Sequence, residues 1–496
     1  MRIACVILAS CLGLLGTGVA WADWLPEVNL TNETAFDKYT SYNNAWCVAA
    51  DTAGDVYVVW EDTREGSCRI YYAVKQESVW SSPARLNDDY YSSDPSIATD
   101  LLGHVHVVWR DGRDGFYHIY YKENTGAGWS VDTRLTDYDS TSARYPSVAA
   151  GRDGDVHTVW QDSRDGNWEV YYKMRDSLGN WLADERLTVD PSPAGMASVT
   201  ADISGDVHVV WTDSRDGNNE IYYKHRTDSM WSADTALTID DDLISSYSSI
   251  VADVNGSIHL VWHDQRSGFW EIYYKRKTGS GWTADASIVS IGNPGWPNIT
   301  SDCLGNIHVV WLDSRDGYWR VYYKMRDTSG VWSADYPVSA LSYPFEGVPE
   351  NPSVTADRHG NVHVVWNVDY WDSLDTRDGG DIFYRMKEAP VGVEQWLEVG
   401  SPMLNRVELW QNRPNPFNQS TEIGFEVGQP THVVLEVYDI TGRLVRTLVR
   451  GRIESNACVV RWDGRDEGGR KVGAGTYLCR LEVGSRIFSR KMILIQ

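Results

Sequence analysis

Seven copies of an acid and base pair at fixed spacing are the residues that could most readily do chemistry: Asp62/Arg64, Asp111/Arg113, Asp162/Arg164, Asp213/Arg215, Asp264/Arg266, Asp313/Arg315 and Asp375/Arg377. A ring of such pairs could orient anionic groups or shuttle protons. Recurrence argues otherwise. A carboxylate and a guanidinium that return in every repeat are expected to pair with each other and to fix turn amides. Six histidines recur in the same way, His106, His157, His208, His259, His308 and His363, with Tyr57 in the first copy. Metal binding needs several ligands about 2 Å from one ion, and equivalent positions of successive repeats are held too far apart for that. They read as packing and hydrogen-bonding groups.

The elements that position these residues are equally periodic. Trp60, Trp109, Trp160, Trp211, Trp262, Trp311 and Trp366 each close a phrase such as VHVVW, at separations of 49, 51, 51, 51, 49 and 55 residues. A period near 50 without a helical stripe predicts propeller blades. Each copy parses into four strands, A to D. Strand A, as in Trp46–Asp51, reads as short and small-sided; B as buried on both faces; C carries paired tyrosines; D opens on Trp80, Trp129, Trp181, Trp231, Trp282 or Trp332. The seventh copy lacks strand D, and Trp24–Thr31 matches it. An N-terminal strand is therefore expected to complete the last sheet and remove both open edges. The fold class is all-β: a seven-bladed β-propeller closed by an N-terminal strand, with a small Ig-like β-sandwich after it.

Composition bounds the rest. Residues 1–22 have a charged start, an apolar run and Ala20-Trp21-Ala22, the pattern of a cleaved signal peptide. Leu8-Ala9-Ser10-Cys11 is an alternative lipid-attachment motif, with too little apolar sequence before it. No later apolar run approaches the roughly 20 residues of a spanning helix. Of seven cysteines, Cys47, Cys68, Cys303, Cys458 and Cys479 follow the signal segment, and only Cys458 and Cys479 are placed for a bridge. Net charge is −24; residues 403–496 carry 14 Lys+Arg against 10 Asp+Glu, which leaves −28 on the remainder. That field repels nucleic acid and anionic membrane. Calcium is the one cofactor with candidate oxygen ligands, at acidic turns such as Asp240-Asp241-Asp242, although no EF-hand loop occurs.

The domain reading is a signal peptide at 1–22, a propeller at 23–388, a linker at 389–407 and a C-terminal domain at 408–496. The last contains Asn415-Pro416-Phe417-Asn418, Val437-Tyr438-Asp439, Gly442-Arg443, Trp462-Asp463-Gly464-Arg465-Asp466, Gly475-Thr476-Tyr477 and Arg490-Lys491-Met492. In order and content these resemble the C-terminal sorting domains of type IX secretion, which overlap with the Ig-like family named after the flagellar hook-capping protein. The resemblance implies export across an outer membrane, secretion machinery as a partner, and surface anchoring. In the array, Asp176–Trp181 and Asp327–Trp332 resemble the Asp-box of sialidase-like propellers, with one extra residue. That implies a sialidase-superfamily shape and no more, because the Asp-box is structural.

A retaining sialidase needs an arginine cluster, an acid/base Asp and a Tyr nucleophile activated by Glu. No single-copy set of that kind is evident, nor a G-x-S-x-G, H-E-x-x-H or phosphate-binding glycine loop. Symmetry breaks in the seventh copy, where Arg377 follows Trp366 by 11 residues against 4 elsewhere, and Ser342–Gly347 lengthens the preceding connection. Asp369, Tyr370, Trp371, Asp372, Tyr343, Phe345 and Glu346 are expected there as exposed aromatics beside acids, suited to sugars, with Trp168, Trp270 and Trp319 lining neighbouring turns. The expected role is an exported, non-catalytic surface module for glycan or protein ligands. A sialidase-like glycoside hydrolase and a structural spacer stand as alternatives.

Overall fold

The computed structural model describes residues 24–389 and 407–495, apart from 33–35, 42–45, 89, 138–140, 152–153, 228–229, 239–242, 341–342, 344–346, 372–376, 428–430, 454–455 and 484–485. The signal segment, most of the linker, and Asp240–Asp242 lie outside these. Among the described residues the fold is all-β with no helix, and the array forms propeller-like antiparallel sheets, one to each repeat.

Strand B holds each sheet together. Val156–Asp162, Val207–Asp213, Ile258–Asp264 and Ile307–Asp313 are buried at every position, as their continuous apolar runs demand. All seven repeat tryptophans are fully buried. Each stands opposite an aromatic of strand C, from Trp60↔Tyr71 to Trp366↔Phe383, and stacks on it at 5.7–6.3 Å. Strand A is longer than its sequence suggested: Ser92–Thr99, Ala143–Ala150, Ala194–Ala201 and Ser245–Ala252 have eight residues each. The extra length comes from a β-bulge, a register shift as between Ser246 and Ser249. It places Asp94, Tyr145, Met196, Tyr247, Trp296 and Asn351 at φ of 47–55°. Left-handed backbone at a non-glycine residue costs about 1–3 kcal/mol, so six repetitions mark a feature the surroundings impose. In the first repeat, Lys38–Tyr39 pairs with Glu61 and Asp62 ahead of Val48–Ala50.

Contacts between repeats run in a cycle. The A strands touch in order from Val48–Ala50 to Val348–Ala356, and these two touch each other. Each outer tryptophan lies edge-on to a strand C tyrosine of the preceding repeat: Trp129 on Tyr72, Trp181 on Tyr121, Trp231 on Tyr172, Trp282 on Tyr223 and Trp332 on Tyr274, at 4.9–5.2 Å. Trp80 of the first repeat meets Tyr384 of the last at 4.8 Å, and Trp24 meets Tyr323 at 5.1 Å. The N-terminal strand pairs as Val28↔Tyr384 and Asn29↔Phe383, taking the strand D place of the seventh sheet.

The C-terminal domain has a three-stranded sheet (Val407–Leu409, Thr421–Val427, Asn456–Trp462) and a four-stranded one (Leu444–Ile453, Thr431–Asp439, Gly475–Val483, Arg486–Leu494). Phe425, Trp462, Leu435, Leu481 and Met492 form the core between them. Cys458 and Cys479, the one pair placed for a possible bridge, are both free thiols. Cys458 pairs with Phe425 in one sheet, and Cys479 with Val437 in the other.

Candidate functional site

The repeated acids and bases are consumed by the scaffold. In six repeats the buried indole N–H of the strand B tryptophan donates to the Asp two residues on, at 2.8–3.4 Å, as from Trp211 to Asp213 and from Trp311 to Asp313. The same carboxylate accepts the backbone N–H and guanidinium of the turn arginine. That guanidinium lies over a tyrosine ring, as Arg215 does over Tyr222 at 4.4 Å, and in repeats 2 to 6 it also reaches a strand D acid, as Arg215 does Asp234 at 2.9 Å. Among the described residues, each Asp and Arg of this unit has a partner. The seventh repeat departs from it: Val368 occupies the Asp position, and Trp366 donates instead to the Tyr343 hydroxyl at 3.1 Å. The expected equivalence of Asp375/Arg377 is thereby corrected, and Asp375 lies outside the described residues.

The six histidines are buried, with Nδ1 2.7–2.8 Å from a strand C tyrosine hydroxyl, as in His208–Tyr223 and His363–Tyr384. Their Nε2 atoms face acids of the A–B turn, such as Asp253 and Asp357 at 3.1 and 3.2 Å. These partnerships hold Asp357 down at about 2 despite burial. A cavity of about 390 Å³ opens where the A strands end, lined by Ala50, Thr99, Ala150, Ala201, Ala252, Ser301 and Ala356 from the seven repeats. Its turn acids are bound to backbone amides, as Asp302 is to Leu304 and Asn306.

The residues expected to form a ligand site in the seventh repeat are placed differently. The insertion is a longer hairpin, Val362–Trp371 against Arg377–Lys387, rather than an open loop. Tyr343, Asp369 and Tyr370 are buried, which corrects their assignment as exposed groups. Tyr343 donates to Glu27 at 3.1 Å and so ties the N-terminal strand to this repeat. Asp369 is hydrogen-bonded to Glu350, and burial together with mutual repulsion pushes its carboxyl far above the usual range. Phe345, Glu346 and Asp372 lie outside the described residues; Trp371 pairs with Arg377 in the strand. Because a raised acid must ionise at a cost, this pair stabilises the fold at low pH and loses that contribution as pH rises through neutrality. Thermal unfolding between pH 5 and 9 is expected to slope downward for the native chain and to flatten in Asp369→Asn.

Trp168, Trp270 and Trp319 are half-buried and remain near the surface. Arg144 stacks on Trp168 at 3.8 Å, Trp270 packs on His263 at 4.4 Å, and Trp319 stands edge-on to Trp296 at 6.3 Å. Beside them the B–C turns expose Phe116, Tyr117, Phe269 and Tyr318.

Next to this aromatic rim is a set of residues missed from sequence. The position after each strand B tryptophan holds Glu61, Arg110, Gln161, Thr212, His263, Leu312 and Asn367, a different residue in every repeat. Across from it the bulge residues also vary, and the two columns meet. Glu61 accepts the Asp94 N–H at 2.7 Å; Arg110 binds Asp94 at 3.1 Å and lies over Tyr117. Gln161 accepts the Met196 N–H, and its side chain occupies the space a Cβ at Gly195 would need. Burial raises both Glu61 and Asp94, while Arg110 draws Asp94 back down. Burial lowers His263 to about 4, leaving a neutral imidazole. The signal was present as the one variable letter between an invariant tryptophan and a repeated aspartate.

Residues 412–485 match the model of the FlgD Ig-like domain. No curated protein sequence matches the chain. Among solved structures, the polysaccharide lyase Uly1 is similar at 9% identity and a TM-score of 0.50, covering 74% of this chain and 99% of its own. A protein of unknown function from Dyadobacter fermentans DSM 18053 has 10% identity and a TM-score of 0.49, over 75% and 100%. PorZ, a surface component of the type-IX secretion system of Porphyromonas gingivalis, has 14% identity and a TM-score of 0.41, over 94% and 61%. The likeness to Uly1 is one of fold.

Proposed function

We propose that the array is a closed seven-bladed propeller that binds glycans on the face carrying its B–C turns, in an exported protein displayed by its C-terminal domain. The cycle of A-strand contacts and the Trp80–Tyr384 contact support closure. Export rests on the N-terminal segment, and display on the Ig-like match with its sorting-domain motifs.

One observation carries the glycan reading: the turns of blades 2, 3, 5 and 6 each bear surface aromatics beside the variable columns, in Phe116/Tyr117, Trp168, Phe269/Trp270 and Tyr318/Trp319. Ring faces stack on sugar C–H surfaces, and neighbouring polar groups fix the hydroxyls. Exposed aromatic surface of this kind marks a binding site more often than chance. The role is binding rather than catalysis, because the repeated acids, bases and histidines are engaged with one another. The hydrolase alternative draws on the half-buried Glu61 and the buried Asp94, where the Glu61 carboxylate accepts the Asp94 backbone N–H at 2.7 Å. The whole exported chain on a glycan array is expected to bind a defined subset of oligosaccharides with micromolar affinity and to leave fluorogenic glycosides intact. Turnover of those glycosides, or an array without binders, contradicts the reading.

A further inference from the structure

The seam between repeats 5 and 6 contains polar atoms the fold leaves unused. His263, 6% exposed, places Nε2 2.7 Å from the Ser246 hydroxyl of its own strand A. Its Nδ1 is buried with no hydrogen-bond partner among the described residues. Whichever ring nitrogen carries the proton, Nδ1 keeps an unmet donor or acceptor. The indole N–H of Trp296, on the facing strand A, is likewise buried without a partner. Nearly all buried polar groups in native folds are satisfied, so two orphans in one cluster call for a ligand or a bound water.

Their surroundings favour a sugar. The His263 ring is packed by Trp270 at 4.4 Å, Tyr247 at 4.8 Å and Trp296 at 6.2 Å, and Trp319 continues the cluster. Phe269, 77% exposed, adjoins it on the surface. A Cβ at residue 295 would sit 3.4 Å from Nδ1, so this nitrogen faces the Gly295 backbone of the sixth repeat rather than a side chain there. Aromatic walls with one imidazole nitrogen and one indole N–H match the surface of a pyranose, which offers C–H faces and hydroxyls that donate and accept equally well.

We propose that this seam is a subsite for a neutral pyranose unit, with His263 Nδ1 and Trp296 Nε1–H as hydroxyl partners and Trp270 and Trp319 as stacking surfaces. The proposal rests on the glycan reading above and deepens it. The test uses a glycan array carrying neutral and acidic oligosaccharides, followed by calorimetric titration of the strongest neutral binder. Native chain, His263→Phe, Trp270→Ala and, as a control in the third repeat, Trp168→Ala are compared, each checked for native melting. His263→Phe keeps the packing and removes the nitrogen; Trp270→Ala is a surface change that spares the fold if the buried substitution does not. Both are expected to weaken the neutral binder at least tenfold, and Trp168→Ala less. If both seam variants bind like the native chain while Trp168→Ala loses affinity, the seam holds only water and the proposal fails, with the glycan reading intact. An array on which the native chain binds nothing overturns both.

Discussion

Replacing Asp213 by alanine is expected to cost the fold about 3–5 kcal/mol, the range for breaking a buried ion pair by removing one partner. Asp213 is fully buried and accepts the Trp211 indole N–H at 2.8 Å, the Arg215 backbone N–H at 3.0 Å and its guanidinium at 2.6 Å. Without it, a buried N–H has no acceptor, and each unmet group of that kind costs about 1–3 kcal/mol. Arg215 keeps Asp234, so part of its charge remains compensated. Asparagine preserves two of the acceptor roles and should cost less than alanine. Urea unfolding monitored by tryptophan fluorescence checks this order, and equal stability of Asp213→Ala and native protein would refute it.

The second large effect is expected at Asp381, where the two ends of the array are joined. Lys38 is fully buried, with Nζ 3.7 Å from the Asp381 carboxylate and 2.9 Å from the Gly380 carbonyl. The same carboxylate accepts from Asn29 at 2.8 Å and from Thr31 at 2.5 Å, both of the N-terminal segment. Asp381→Ala therefore removes a carboxylate from beside a buried ammonium and loosens the strand that fills the last sheet. A loss of about 3–5 kcal/mol follows from the first effect alone. Limited proteolysis is the sharper readout: cleavage between residues 24 and 36 should precede global unfolding in the variant only. If the N-terminal segment stays as protected as in the native chain, the strand does not depend on this carboxylate.

Repeats make some features legible and hide others. The tryptophan spacing, the buried B strands and the missing last strand could be read because each rests on local apolar pattern or on counting. The scaffold role of Asp213 and its equivalents was readable for the same reason. The seventh insertion was misread as an exposed loop because its decisive partners are remote: Glu350 lies 19 residues before Asp369, and Glu27 lies 316 before Tyr343. Alternation in Val368-Asp369-Tyr370 was a local hint of continued strand, and both apolar neighbours are buried. His263 was overlooked for the opposite reason. Six other histidines obey the repeat, and its position one residue past the tryptophan has a different occupant in every copy.

The proposed glycan site lies at the unrepeated columns on the bulged ends of the A strands, whereas the recurring residues hold the scaffold. Hydrogen–deuterium exchange of the native chain with and without its strongest array-selected oligosaccharide tests that division most directly. New protection is expected in the segments around Ser246–Ser249, Gly295–Asn298 and the turns at Phe269–Trp270 and Tyr318–Trp319. Protection confined to the A–B turns around Asp51, Asp253 and Asp357, at the cavity where the A strands end, would contradict it.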